Sequence, residues 1–191
     1  MKTFKTIEVI KYPRDKVWRV MRDQLPEIAR LVDDSTAVTL ESREEISSET
    51  VRVVNVWQVD TAAIGPVAAF LPSQSMEWTD YAEWDPVSFT CRWHIKSHFA
   101  PERVTCQGIT SFETAIAGRG TRVTIAGEVG ASGSLNTHAG ILTAGIVNRG
   151  VEAVALTILP TKFRKLVQAA ARYLDACHRG SQDAAIPPVS G

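Results

Sequence analysis

Residues 3–12, TFKTIEVIKY, largely alternate apolar and polar positions, the period-two repeat of a strand covered on one face. The period then changes. In YPRDKVWRVMRDQLPEIARLVDD, Pro13 suits a helix start and Val17, Val20 and Met21 fall on one face. Pro26 opens a second short helix that carries Ile28, Leu31 and Val32. Alternation returns for the next hundred residues. TAVTLESREE places Val38 and Leu40 together, and TVRVVNVWQVD places Val51, Val53, Asn55, Trp57 and Val59 together. SMEWTDYAEWDPVSFTCRWHIKSHF predicts a hairpin turning at Asp85-Pro86. RVTCQGITSFETAIAGRGTRVTIAGEVGAS predicts another, turning at AGRG. About seven strands joined mostly by short turns make an antiparallel sheet. From about residue 139 the spacing becomes helical for about forty residues, with a kink expected at Pro160 and a stop at Gly180. The segment from Ala62 to Pro72 is apolar but broken by Gly65, Pro66 and Pro72, so it predicts a short helix or flap and not a strand.

Turn lengths tie the strand faces together. Two-residue turns at Pro86-Val87 and Gly118-Arg119 place Trp84 opposite Phe89 and Phe112 opposite Ile125. One face of the sheet then carries Trp78, Asp80, Ala82, Trp84, Cys91, Trp93, Ile95, Cys106, Phe112, Val123 and Ile125. The other carries Arg92, His94, Lys96, Gln107, Glu113, Arg122 and Glu128. One face is dry and one wet, so a cover is required on the dry side, and the long C-terminal helix is the element large enough to supply it.

That alternation settles the one segment that looks like a metal site. In CRWHIKSHFAPERVTC, Cys91, His94, His98 and Cys106 have a spacing that could hold zinc. Cys91 points inward and the two histidines outward, about 13 Å apart along an extended strand, so no single ion is shared and no metal is expected. GRG at 118–120 lies between strands and is a turn, not a phosphate cradle, and no cofactor motif is present. Lys plus Arg and Asp plus Glu are equal at 21 each, which argues against nucleic acid as a partner. Three cysteines, no signal-peptide apolar core and no uncharged apolar run of the ~18 residues a span needs predict a cytoplasmic protein with no stable membrane insertion. One domain over 1–179 and a disordered tail over 180–191 are expected.

VIKYPRDKVWRVMRD near the start, the DP hairpin at 85–86 and GRGTRVTIAGEV before the last helix resemble the START-like superfamily, also called SRPBCC. The order IGPVAAFLP followed by Tyr81, Glu83, Asp85 and Pro86 is similar to PRELI-type lipid-transfer domains of the same architecture. The resemblance implies an α+β helix-grip fold: a curved antiparallel sheet of about seven strands wrapped around a long C-terminal helix, with two short helices after the first strand. It also implies a hydrophobic small molecule or lipid in a cavity between sheet and helix. The lining expected is Asn55, Trp57, Asp80, Cys91, Trp93, Phe112 and Ile125 from strands, and Val147, Val151, Val154 and Ile158 from the helix. Residues 62–72 would border its mouth. The alternative function is a polyketide cyclase or aromatase, in which Asp80, inward and apolar-walled, would be the acid or base. A protein-interaction module of the same fold is a third, for which only the 62–72 segment offers a surface.

Overall fold

The structure is a computed structural model that describes residues 1–32, 36–47, 50–60, 75–98, 104–131, 135–137, 140–142, 156 and 159–183. The alternating segments form β1 (Lys2–Ile10), β2 (Thr36–Glu45), β3 (Val51–Asp60), β4 (Ser75–Asp85), β5 (Thr90–Ser97), β6 (Val104–Ala115) and β7 (Gly120–Ala131). They make one antiparallel sheet in the order β1-β7-β6-β5-β4-β3-β2. Two helices follow β1: α1 (Arg14–Asp23), entered at Pro13, and α2 (Leu25–Arg30), with Pro26 in its first turn. Asp15 at the start of α1 and Arg22 at its end both match the helix dipole. The long C-terminal helix, α3, spans Leu159–Asp183.

Part of the run expected to be helical is not. Residues 135–137 and 140–142 instead pair as two short strands, β8 and β9. Pro160 is the second residue of α3 as described, and the preceding turn on which a kink at Pro160 depends lies outside the described residues. The helix also continues through Gly180 to Asp183. Val147, Val151, Val154, Ile158 and the 62–72 segment lie outside the described residues.

Both hairpin registers differ from expectation by two residues. Trp84 lies opposite Cys91, not Phe89, and Phe112 opposite Val123, not Ile125. The loops have four residues, 86–89 and 116–119, where two are expected. In the first, Asp85 accepts hydrogen bonds from the Val87 N–H (2.8 Å) and the Ser88 hydroxyl (2.6 Å), which widens the turn. In the second, Ile116, Ala117 and Gly118 all adopt positive φ. A shift of two leaves every side chain on the face assigned to it, because strand side chains alternate at period two.

The dry face is covered by α1 and α3. Val17, Trp18 and Met21 of α1 are buried, and Trp18 meets Trp84 and Phe89 edge-on, each at 5.8 Å. α3 buries Leu166, Val167, Ala169, Ala170 and Leu174 and packs on β1, α1 and α2. Arg164 pairs with Glu8 of β1 at 2.9 Å. Phe163 stacks on Phe4 (5.7 Å) and reaches Trp93 (5.7 Å). The Trp93 ring lies flat over two glycines. A Cβ on Gly108 would come within 2.5 Å of Trp93 Cζ2, and one on Gly127 within 2.8 Å of Trp93 Cη2 and of Phe4 Cζ. The wet face carries cross-strand pairs instead, among them Arg52–Glu83 (2.8 Å) and Gln107–Glu128 (2.8 Å), and a Tyr81–His94 stack at 4.8 Å.

Candidate functional site

Between β3 and β5 the inner face stops being uniformly apolar. Asn55 lies directly opposite Asp80, and Asp80 opposite Ile95. One pair further along the same face, Trp57 lies opposite Trp78, and Trp78 opposite Ser97. Shared parity sends all six side chains to the inner side. The two indoles stack at 6.1 Å with their planes 14° apart. Both remain half-buried, so the stack is not closed over.

Three polar atoms in this cluster are buried without a hydrogen-bond partner: Asn55 Oδ1, Trp57 Nε1 and Ser97 Oγ. Asn55 is 2% exposed and Ser97 6%. Each such atom costs about 1–3 kcal/mol relative to a satisfied one, and native proteins carry few of them. Three of the five such atoms among the described residues, the others being Thr6 Oγ1 and Trp18 Nε1, fall within two adjacent cross-strand rows.

Asp80 sits among them. Protein encloses its carboxyl so that desolvation pushes its pKa up to about 7, and the nearby Trp57 N–H pulls it part of the way back. That N–H is within reach of the carboxylate but short of a formed hydrogen bond, since Trp57 Nε1 has no partner by geometry. Yet Asp80 retains accessible surface and is only half-buried. Near neutral pH it exchanges between an acceptor-only carboxylate and a proton-donating acid. The neighbouring thiols do neither. Burial pushes Cys106 up to about 12 and Cys91 well above the ordinary thiol value, with the Asp80 charge adding in both cases. They stay protonated and unreactive.

Of the residues the sequence assigns to a cavity, the structure brings Asn55, Trp57 and Asp80 together. Trp93 lies one pair further along, over its two glycines, and its Nε1 donates to Thr110 Oγ1 at 3.2 Å. Cys91, Phe112 and Ile125 sit toward α1, 3%, 2% and 2% exposed, with Phe112 against Trp84 at 6.0 Å. Ser97 is absent from the lining expected from sequence, although it follows Cys91, Trp93 and Ile95 on the inner parity of the same strand. Trp78 is placed inward by the sequence but not counted in the site.

The wet face offers one other chemically suggestive contact. His98 Nδ1 lies 2.9 Å from Glu77 Oε1, and its Nε2 lies 2.8 Å from Thr79 Oγ1. Hydroxyl, imidazole and carboxylate in that order resemble a hydrolase relay. Thr79, however, is in mid-strand between two paired neighbours, so its backbone N–H is committed to the sheet and cannot hold an oxyanion. The contact ties the end of β5 to β4. His98 and His94 are therefore on the face opposite Cys91, and no group of three metal-ligating side chains occurs among the described residues.

No family model matches the sequence, and no curated protein does. Solved structures do. The Zhui aromatase/cyclase from Streptomyces sp. R1128 superposes with a TM-score of 0.64 at 15% identity, covering 91% of this chain and 93% of its own. TTHA0849 from Thermus thermophilus gives 0.62 at 15% identity, covering 90% and 99%. Ara h 8.0201 gives 0.53 at 12% identity, covering 92% and 98%. No described helix is long and apolar enough to cross a membrane. With its sheet order, its two short helices after β1 and its long C-terminal helix, the chain has the α+β helix-grip fold.

Proposed function

We propose that the protein binds or carries a hydrophobic small molecule or lipid, held against the inner face of β3–β5. The observation that carries this reading is the group of unpartnered buried polar atoms on Asn55, Trp57 and Ser97 around an enclosed but accessible Asp80. Apolar walls with a few convergent polar groups are the usual composition of a small-molecule site. In this reading Trp93 continues the apolar wall with Phe112 and Ile125 packed behind it in the core, and Val147, Val151, Val154 and Ile158 complete it. The three free cysteines suit a reducing, cytoplasmic setting. Native mass spectrometry of protein purified from its host tests the reading: a bound mass released on denaturation is expected. Protein that emerges free of any ligand, and whose tryptophan emission ignores every apolar probe offered, overturns it.

One observation favours a second reading. A carboxylic acid titrating near 7 is suited to general acid–base catalysis, and one structural neighbour is an aromatase/cyclase. In a cyclase of this kind Asp80 would move the proton. The carrier comes first because no second base stands beside Asp80 among the described residues to activate the Ser97 hydroxyl, and burial holds the neighbouring Cys91 and Cys106 thiols protonated. Asp80→Asn separates the two: turnover of a polyketone-type substrate would fall about 10²–10⁴-fold if Asp80 is catalytic, with binding nearly unchanged.

A further inference from the structure

The polar atoms at this site differ in what they lack, and the differences restrict what can satisfy them. Asn55 Oδ1 is an acceptor and needs a donor. Trp57 Nε1 is a donor and needs an acceptor. Ser97 Oγ serves as either. We infer that the group docked here is an uncharged hydroxyl, as in a phenol, alcohol or enol, on a flat apolar skeleton that lies along Trp57 and Trp78. This rests on the binding reading above and gives it a chemical class.

The alternatives each leave something unmet. A carboxylate, phosphate or ketone only accepts, so it serves Trp57 and strands Asn55 Oδ1. An anion would also face Asp80 with no counter-ion among the described inner-face residues of these two rows from β3 to β5, which are Asn55, Asp80, Ile95, Trp57, Trp78 and Ser97. An ammonium would pair with an ionised Asp80 and serve Asn55 Oδ1, but it only donates and so brings no acceptor for the Trp57 N–H. A hydroxyl donates once and accepts twice, and it is the smallest group that answers both. Asp80 tolerates it in either protonation state, accepting from the hydroxyl when ionised and donating to it when neutral. A purely apolar molecule would leave all three atoms unpaired.

A matched series on one skeleton tests this: naphthalene, 2-naphthol, 2-naphthoate and 2-naphthylmethylammonium, titrated into the whole protein and followed by tryptophan quenching and calorimetry at pH 6 and 8. We expect 2-naphthol to bind at least about tenfold more tightly than each of the others. Asn55→Leu and Ser97→Ala should each lower that preference, with far- and near-UV circular dichroism showing that the variants are folded. Naphthoate or the ammonium binding as tightly as naphthol overturns the inference and leaves the binding reading standing. Naphthalene matching naphthol does the same. If none of the four binds, the binding reading falls and the inference falls with it.

Discussion

Replacing Asp80 by Asn should make the protein more stable, and more so as pH rises. The carboxyl has a pKa of about 7 in the folded chain, because enclosure by protein disfavours the charge. In the unfolded chain it returns to about 3.9. Between those values the unfolded state has released a proton that the folded state still holds. Stability from this group is thus greatest below pH 4 and is lost as pH rises through about 7. The full separation corresponds to about 4 kcal/mol. Asp80 keeps some accessible surface, so solvent relieves part of that cost, leaving about 2 kcal/mol at pH 8 and about 1 kcal/mol at pH 5. Asn has nearly the same shape and cannot ionise. For a chain of this length, about 2 kcal/mol corresponds to about 4–8 °C in Tm. Calorimetric melts of both proteins at pH 5, 6, 7 and 8 should therefore show a gap that opens toward alkaline pH. Subtracting one protein from the other cancels all other titrating groups. A gap that is constant, or that closes as pH rises, would refute the buried-carboxyl argument.

Asn55→Leu should leave the ligand-free protein as stable as before or slightly more so, since it removes a buried acceptor with no partner; a loss above about 2 kcal/mol in urea unfolding would show that Oδ1 is satisfied within the protein. Gly127→Ala should destabilise by about 1–3 kcal/mol, because the new Cβ would press on Gln107 O at 2.7 Å and on the Phe4 and Trp93 rings at 2.8 Å, and a changed near-UV tryptophan spectrum should accompany the loss. Phe163→Ala removes the ring between Phe4 and Trp93 and should cost about 2–3 kcal/mol by chemical denaturation, below the range for a fully buried phenylalanine because Phe163 is half-buried.

Which residues face inward is legible from the sequence, because alternation survives errors of two. The turns expected to have two residues have four, yet Asn55 still meets Asp80 on the inner side, and His94 still faces away from Cys91. What alternation cannot give is the partner across a hairpin, which depends on how Asp85 binds the Val87 and Ser88 groups and on residues such as Ile116 adopting positive φ. The β8–β9 pairing escapes sequence reading for a similar reason. The apolar run near residue 140 suits a strand or a helix equally, and pairing with a neighbouring strand decides it. Ser97 is hard to find because a serine near a strand end looks like a turn residue, and its significance lies in what it fails to bond.

The strand order also governs how the chain must assemble. From β2 to β7 every neighbour in the sheet is a neighbour in sequence, so each pairing closes a local hairpin. β1 is the exception. Its residues 2–10 pair with 121–129, at the far end of the meander. During synthesis the first strand therefore emerges early and waits, unpaired, until β7 has been made through Ala131. Contacts so distant in sequence slow folding, because the entropy of closing the intervening chain is lost before the pairing compensates. α3 packs on that same strand, so the grip of the helix cannot be completed before the first strand has been captured. Substitutions that weaken β1–β7 pairing should consequently slow the last stage of folding more than the formation of the meander, and a chain halted before β7 would present β1 as an unpaired, sticky edge.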